Sequence, residues 1–569
     1  MRERAGASLY IPGIDAFLLI APFRMSRCSL GCRLVTVLTL LLLGCGPSQA
    51  HQAAPHPGID VLHYTFQLTL SDASDRVRGE ATVRLRVESD TLTAARLDLI
   101  GVDGGTGMRV TSVTEGGAAV DFSQSNNHVH IALEDASVGA ERTFVVAYEG
   151  IPADGLIIGE NQHGDRTFFG DNWPNRARHW LPTVDHPSDK ATVEWIVTAP
   201  SRYEVVANGA LVEEANLDSD RRRTHWRTTE PLPTKVMVIG VADFAVQDVG
   251  VYDDTPIQSW VYPEDTTRGF RDLGQAERVL RFFEPRLGNY PYAKLANVQS
   301  TTRYGGMENA SAIFYSESAV ADRENDEPLV AHEIAHQWYG NTVTETDWPH
   351  LWLSEGFATY LTQLYLEDAY GRERRRMGMR NARRRVVQFA EANPTEPLVD
   401  TTYTDPTELL NTNPYQKGAW VLHMLRHQVG DSTFWDGLRD YYATFRQQNA
   451  STDDFQQVME DAAGQSLGWF FEQWTRRPGQ PHVDGTWRYD EASGTVTVSL
   501  RQTQDAAPFR LRLDLGFYPD TGSAPILRTI QMDGRTHAVT FALKDAGRIT
   551  DVQLDPHAWT LMTSTFERE

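Results

Sequence analysis

Residues 327–360, EPLVAHEIAHQWYGNTVTETDWPHLWLSEGFATY, constrain this chain more than any other stretch. Asn325 and Asp326 are candidate caps and Pro328 suits a first-turn position, so a helix is expected to start here and carry His332, Glu333 and His336 through its middle. Two histidines four residues apart stand one turn above each other, so both imidazoles can reach one metal ion from a single face. Glu333 points beside that face, where it is a poor third ligand but well placed to take a proton from water at the metal. After the Trp348–Pro349 break a second helix is expected, and WLSEGFATY places Glu355 on it. Its carboxylate can close a His-His-Glu site for one zinc ion and leave the fourth position open to water, which is what separates catalytic from structural zinc.

At 569 residues the chain exceeds what one core supports and should divide into about three or four domains. Residues 33–43, RLVTVLTLLLL, are too short to span a bilayer stably and suit the apolar region of an export signal. Leu42-Leu43-Gly44-Cys45 resembles a bacterial lipobox, which implies lipidation at Cys45 and a membrane-anchored protein of the cell envelope. The alternative is ordinary cleavage after Ala50, giving a periplasmic or secreted protein; either way residues 1–50 are the leader, and 51–58, HQAAPHPG, a tether. All three cysteines, Cys28, Cys32 and Cys45, lie in the leader, so the body forms no disulfide and offers no thiol nucleophile. The formal net charge of −23 opposes nucleic-acid binding.

The hydrophobic period divides the rest. Tyr64, Phe66, Leu68 and Leu70 alternate with polar neighbours, as do Ala81, Val83, Leu85 and Val87, and similar runs reach about Val246, so residues 59–247 are expected to form an all-β domain. The basic interval NRARHW inside it suits ion pairs at the core rim. From about Arg268 the period lengthens: AERVLRFFEPRLG is an amphipathic helix stopped by Gly288, and helical patterns place an α-rich domain over 248–480 around the metal stretch. RERRRMGMRNARRRVV, 372–387, is expected to be a solvated helix face. Period two returns over 484–569, which is expected to form a small β-sandwich, making the whole a multidomain α+β protein.

Upstream of the metal stretch lies Gly305-Gly306-Met307-Glu308-Asn309, where two glycines let the main chain approach a bound peptide and an edge strand can pair with it. With HEIAHQW, WLSEGFATY, Tyr415-Gln416-Lys417-Gly418 and RHWLPTVDHPSDKATV at 178–193, this motif resembles the gluzincin aminopeptidases related to aminopeptidase N and leukotriene hydrolase over about residues 60–480. The resemblance implies a thermolysin-like catalytic domain with His332, His336 and Glu355 holding Zn2+ and Glu333 as general base. It implies peptide substrates bound along Gly305–Asn309, Glu308 taking the free α-amino group, and Tyr415 donating to the oxyanion. Asn341 and Thr342 are candidates for supporting the metal site, with a helix cap as the alternative.

One position departs from that family. Relatives commonly carry Glu or Gln five residues before the arginine aligned with Arg178, as a second contact for the substrate amine; here Trp173 stands there, so Asp171 or Asn172 takes over or Glu308 acts alone. The expected activity is therefore a zinc aminopeptidase, with a zinc endopeptidase or other hydrolase as one rival. The other rival, a non-catalytic cell-surface binding lipoprotein, predicts a lost ligand or base, and His332, Glu333, His336, Glu355 and Tyr415 are all present.

Overall fold

The computed structural model describes residues 58–134, 136–321, 326–522 and 524–569; the leader with Cys45, the tether up to residue 57, and Asn325 lie outside them. Among the described residues no helix is long and apolar enough to cross a membrane. The alternation at the start of the body places Ile59–Ser71 within a nine-stranded sheet, antiparallel to Ser74–Val87 and parallel to Lys190–Pro200. Tyr64, Phe66, Leu68 and Leu70 all point into its core, where Phe66 packs on Trp195 and Trp195 stacks on Trp180. The basic interval does form rim ion pairs: Arg176 with Asp171, and Arg178 with Asp185 and Asp98.

Strand Ala245–Tyr252 crosses the expected boundary at 247, because it hydrogen-bonds Thr255–Val261 and so belongs to the sheet that carries the site. That five-stranded sheet continues through Leu295–Ser300 and Ala312–Ser316 and ends in Gly306–Met307, a two-residue edge strand antiparallel to Ala312–Ser316. Helix Ala276–Leu287 stops at Gly288, whose φ of 114° favours glycine, and the Gly288 carbonyl accepts the indole N–H of Trp338.

Helix Glu327–Ala335 is shorter than the sequence suggests: His336 caps it instead of lying in its interior. Beyond His336 the N–H groups of Gln337 and Trp338 reach back only three residues, to Ile334 and Ala335, so the last turn tightens before Gly340, at φ 123°. Leu329, Val330, Ala331, Ile334 and Ala335 are buried along with Glu327, His332 and Glu333, so the helix is covered on all sides and sits in the core rather than on it. The second helix, Trp352–Tyr370, follows a short turn over Trp348–His350 and holds Glu355 in its first turn.

The arginine-rich helix Arg372–Ala392 is the expected solvated face only in part: Arg372, Arg380 and Arg384 are exposed, but other arginines are covered. Arg375 is buried, paired with Glu367 and lying over the Trp559 ring, and Arg376 donates to the Pro556 carbonyl. The helix thus seats the C-terminal β domain, which long guanidinium stems can cover without losing their charge partners. That domain has two facing sets of strands, a four-stranded sheet from His482–Asp490 to Thr563–Arg568 and a three-stranded sheet around Leu511–Pro519.

Candidate active site

His332 and His336 project from the short helix, and Glu355 meets them from the start of the next. Glu355 Oε2 lies 3.3 Å from each imidazole Nε2, and the two Nε2 atoms are 3.1 Å apart. A tetrahedral ion bonded at about 2.0–2.1 Å has ligand–ligand edges of about 3.3–3.4 Å, so this donor set fits zinc. The imidazole orientation supports the same assignment. His336 Nδ1 lies 3.2 Å from the Tyr339 carbonyl and 3.1 Å from Ser354 Oγ, so its N–H is held on that side and the Nε2 lone pair faces Glu355.

Charge in the site is lopsided. Glu308, Glu333 and His336 offer ligand atoms within 4.8 Å of one another, overlapping the set His332, His336 and Glu355. Burial raises the carboxyls of Glu308 and Glu333 against the pull of His336, helped on both by the Glu355 charge and on Glu333 also by Glu308. Burial pushes Glu355 up as well, but the two imidazoles outweigh it and hold that carboxyl well below the usual range. On His336 burial opposes the proton, yet Glu355 and Glu308 win and raise its pKa to about 9. Three buried carboxylates around one point favour positive charge there.

Glu333 points at the edge strand: a Cβ placed on Gly306 would lie 2.2 Å from Glu333 Oε1. Gly306 therefore makes room for the carboxylate as well as for backbone approach. Met307 is buried and pairs with Phe314, and the Gly305 carbonyl accepts from Ser316 N–H. Asn309 is fully buried, and its amide has no hydrogen-bond partner among the described residues.

Tyr415 lies in a single π-helical turn, Asn413–Lys417, leading into helix Gly418–Val429. Its ring runs parallel to that of His332 with centroids 6.2 Å apart, and the Glu355 charge acts on its hydroxyl. Burial, then the Glu355 charge, raises its pKa. The approach is possible because the two helices cross at Gly356 and Gly418. A Cβ on Gly356 would stand 2.9 Å from the Gly418 Cα, and one on Gly418 would stand 2.9 Å from the Gly356 Cα.

Two family descriptions match this chain, Peptidase family M1 domain over residues 271–474 and Peptidase M1 N-terminal domain over 61–236. The chain belongs to peptidase family M1. Aminopeptidase M1-A of Oryza sativa subsp. japonica is 28% identical over 373 residues, covering 60% of this chain and 41% of the relative. Probable aminopeptidase 2 of Sulfurisphaera tokodaii is 26% identical over 402 residues, 66% of this chain and 50% of the relative. Glutamyl aminopeptidase of Homo sapiens is 28% identical over 325 residues, 55% of this chain and 34% of the relative. This M1 chain thus spans half or less of the length of these relatives.

Both expected substitutes for the second amine contact are buried and have partners within the protein. Asp171 is fully buried beside Arg176, and Asn172 donates to the Thr234 and Met237 carbonyls while accepting the Trp180 indole N–H. Trp173 itself packs edge-on against Tyr304 and Trp348, with ring centroids 6.0 and 5.6 Å away.

Other residues of the M1 site escaped the sequence reading. Lys190 Nζ donates to the Thr342 and Gln448 carbonyls, 2.8 Å to each, and Lys235 pairs with Glu345, so two lysines of the N-terminal domain brace the metal segment. Thr342 bonds Gln337 O and the Tyr292 hydroxyl, not a ligand histidine. Ser354 had one available signal, its place directly before Glu355.

Proposed function

We propose that this M1 protein is a zinc-dependent aminopeptidase that releases residues from the amino ends of peptides. The observation that carries it is the convergence of Glu308, Glu333 and Glu355 about His336, two overlapping sets of ligand atoms in one buried site. Such crowding calls for two cations, one within the His-His-Glu set and one beside Glu308, and a substrate α-ammonium is the second.

Zinc held by His332, His336 and Glu355 would polarise the scissile carbonyl and acidify water. Glu308 anchors the ammonium, which brings the first peptide bond over Glu333. Glu333 takes the proton from the attacking water and returns it to the leaving amine. Tyr415, adjacent to Glu355, turns its hydroxyl to the oxyanion that forms in the transition state. The edge strand Gly306–Met307 lies alongside to pair with the substrate backbone.

The test compares turnover of free and N-acetylated aminoacyl amides by purified protein, with chelator and with zinc added back. Loss of activity with chelator and turnover only of free-amine substrates are expected; equal turnover of blocked substrates overturns the reading. That second result would favour an endopeptidase on the same fold, a rival supported by Trp173 standing where a second acid or amide is expected. We also propose export and lipid anchoring at Cys45, supported by the apolar run 33–43 and Leu-Leu-Gly-Cys. Labelling with a fatty-acid analogue tests it: label absent from the wild type, or retained in Cys45→Ser, refutes the anchor.

A further inference from the structure

The chemistry above leaves two buried amides unassigned. Gln337 Nε2 donates to the Glu308 carbonyl at 2.9 Å, and Asn341 Nδ2 donates to the same oxygen at 2.6 Å. Both side chains are 0% exposed, so neither bond competes with water. A carbonyl oxygen has two lone pairs, and here both go to side chains rather than to the sheet.

The residues after Glu308 are held as firmly. Gln337 Oε1 accepts the Ser311 N–H at 2.9 Å, and Ser311 stands at φ 63°, a left-handed conformation that a serine keeps only when its surroundings impose it. From the other side the N-terminal β domain grips the same turn. Ala310 N–H donates to the Val236 carbonyl, Asn208 Nδ2 donates to the Ala310 carbonyl at 2.7 Å, and Gly209 N–H donates to Ser311 Oγ at 2.8 Å.

Gln337 and Asn341 belong to the segment that carries His332, Glu333 and His336. One continuous segment therefore holds the two histidine ligands, the proton acceptor and, through its amides, the main chain of the amine anchor. We propose that Gln337 and Asn341 are positioning residues that set the register of cleavage: they fix Glu308 relative to Glu333, so that an ammonium seated on Glu308 puts the first peptide bond, and not the second, over the reacting water. This rests on the aminopeptidase reading above. With both donors gone, the Glu308 carbonyl is left buried and unpaired, and the strand end shifts to satisfy it. A displacement of about 1 Å at a reacting group costs on the order of 100-fold in rate.

The experiment uses the full chain with Asn341→Ala, Gln337→Met and both together. Three quantities are read: kcat and KM on a free aminoacyl amide, the same on its N-acetyl form, and the first products from a defined pentapeptide by mass spectrometry. Zinc content and thermal unfolding accompany each variant. Expected are stoichiometric zinc, a fall of about 100-fold in free-amine kcat/KM for the double variant, carried mainly by KM, and a smaller fall for Asn341→Ala. The free-to-blocked ratio should contract by a similar factor, and dipeptide should appear among the first products.

A merely structural role would slow both substrates equally and leave the ratio and products unchanged, which overturns the proposal. Asn341→Ala keeps the Gln337–Ser311 bond, so it decides the matter if the double variant does not fold. A wild type that treats free and blocked amides alike refutes the aminopeptidase reading instead. A discriminating wild type, with folded, zinc-loaded variants at the same ratio, refutes the clamp alone.

Discussion

Gly418→Ala tests how Tyr415 is delivered to the site. The added Cβ would stand 2.9 Å from the Gly356 Cα and 3.4 Å from the Trp352 Cβ, and the first of these is backbone that cannot rotate away. Restoring ordinary contact parts the two helices by about 0.5 Å, a crowding that costs about 1–3 kcal/mol of stability in a packed core. Tyr415 lies in the turn just before Gly418 and Glu355 immediately before Gly356, so the shift opens Tyr415 away from the carboxylate whose charge it feels. Losing one oxyanion donor outright costs about 10²–10³ in kcat, so a partial displacement should cost about 10–100-fold, with KM little changed. His332, His336 and Glu355 all lie outside the Tyr415–Gly418 segment that is pushed away, so zinc should stay bound. The assay is kcat and KM on an aminoacyl amide, with metal content, for Gly418→Ala, Tyr415→Phe and the double variant. If the glycine acts through the tyrosine, the double variant is no slower than Tyr415→Phe alone. Should Gly418→Ala lose the same factor in the Tyr415→Phe background, or keep full kcat, the reasoning fails.

Other perturbations separate binding from chemistry and stability. Glu333→Ala should retain zinc and lose nearly all kcat; full activity would show that the base is misassigned. Glu355→Ala should lose most of its metal after dialysis, because only two ligands remain, and stoichiometric zinc in that variant would refute the ligand set. Asp555 bears on pH dependence. Burial raises its pKa from 3.8 to about 6, while the Trp559 and Thr560 N–H groups and Arg383 pull it back. The folded value exceeds the unfolded one, so the contribution is fully present below about pH 4 and is lost as pH rises through 6. The stability difference between wild type and Asp555→Asn should therefore change by about 2–3 kcal/mol between pH 4 and 7, and a flat difference across that window would exclude Asp555 as its source.

What could be recognised in the amino-acid order was local. The four-residue step from His332 to His336 puts both imidazoles on one face whatever surrounds them, and the period-two runs at Tyr64–Leu70 and Val496–Leu500 declare strands with one buried face. The motif at Gly305–Asn309 pointed to an edge strand because glycine pairs and short β runs carry that meaning by themselves. Where local reading erred, a distant neighbour intervened. Arg375 has the look of solvent-facing charge until Trp559, from the last β domain, covers it. Beyond the short helix the chain turns at Gly340 beside Ser354 of the next helix, where a side chain would collide with the serine hydroxyl.

Tertiary structure alone decided which of these pieces act together. Nothing near Gly356 announces Gly418, nothing near Glu308 announces Gln337 and Asn341, and Asn208 reaches Ala310 only once two domains have closed. Periodicity and capping come from bonds between residues at most a few positions apart, so the chain order states them directly. A crossing of two glycines or a doubly bonded carbonyl depends on packing elements far apart along the chain, and that outcome is a property of the whole core.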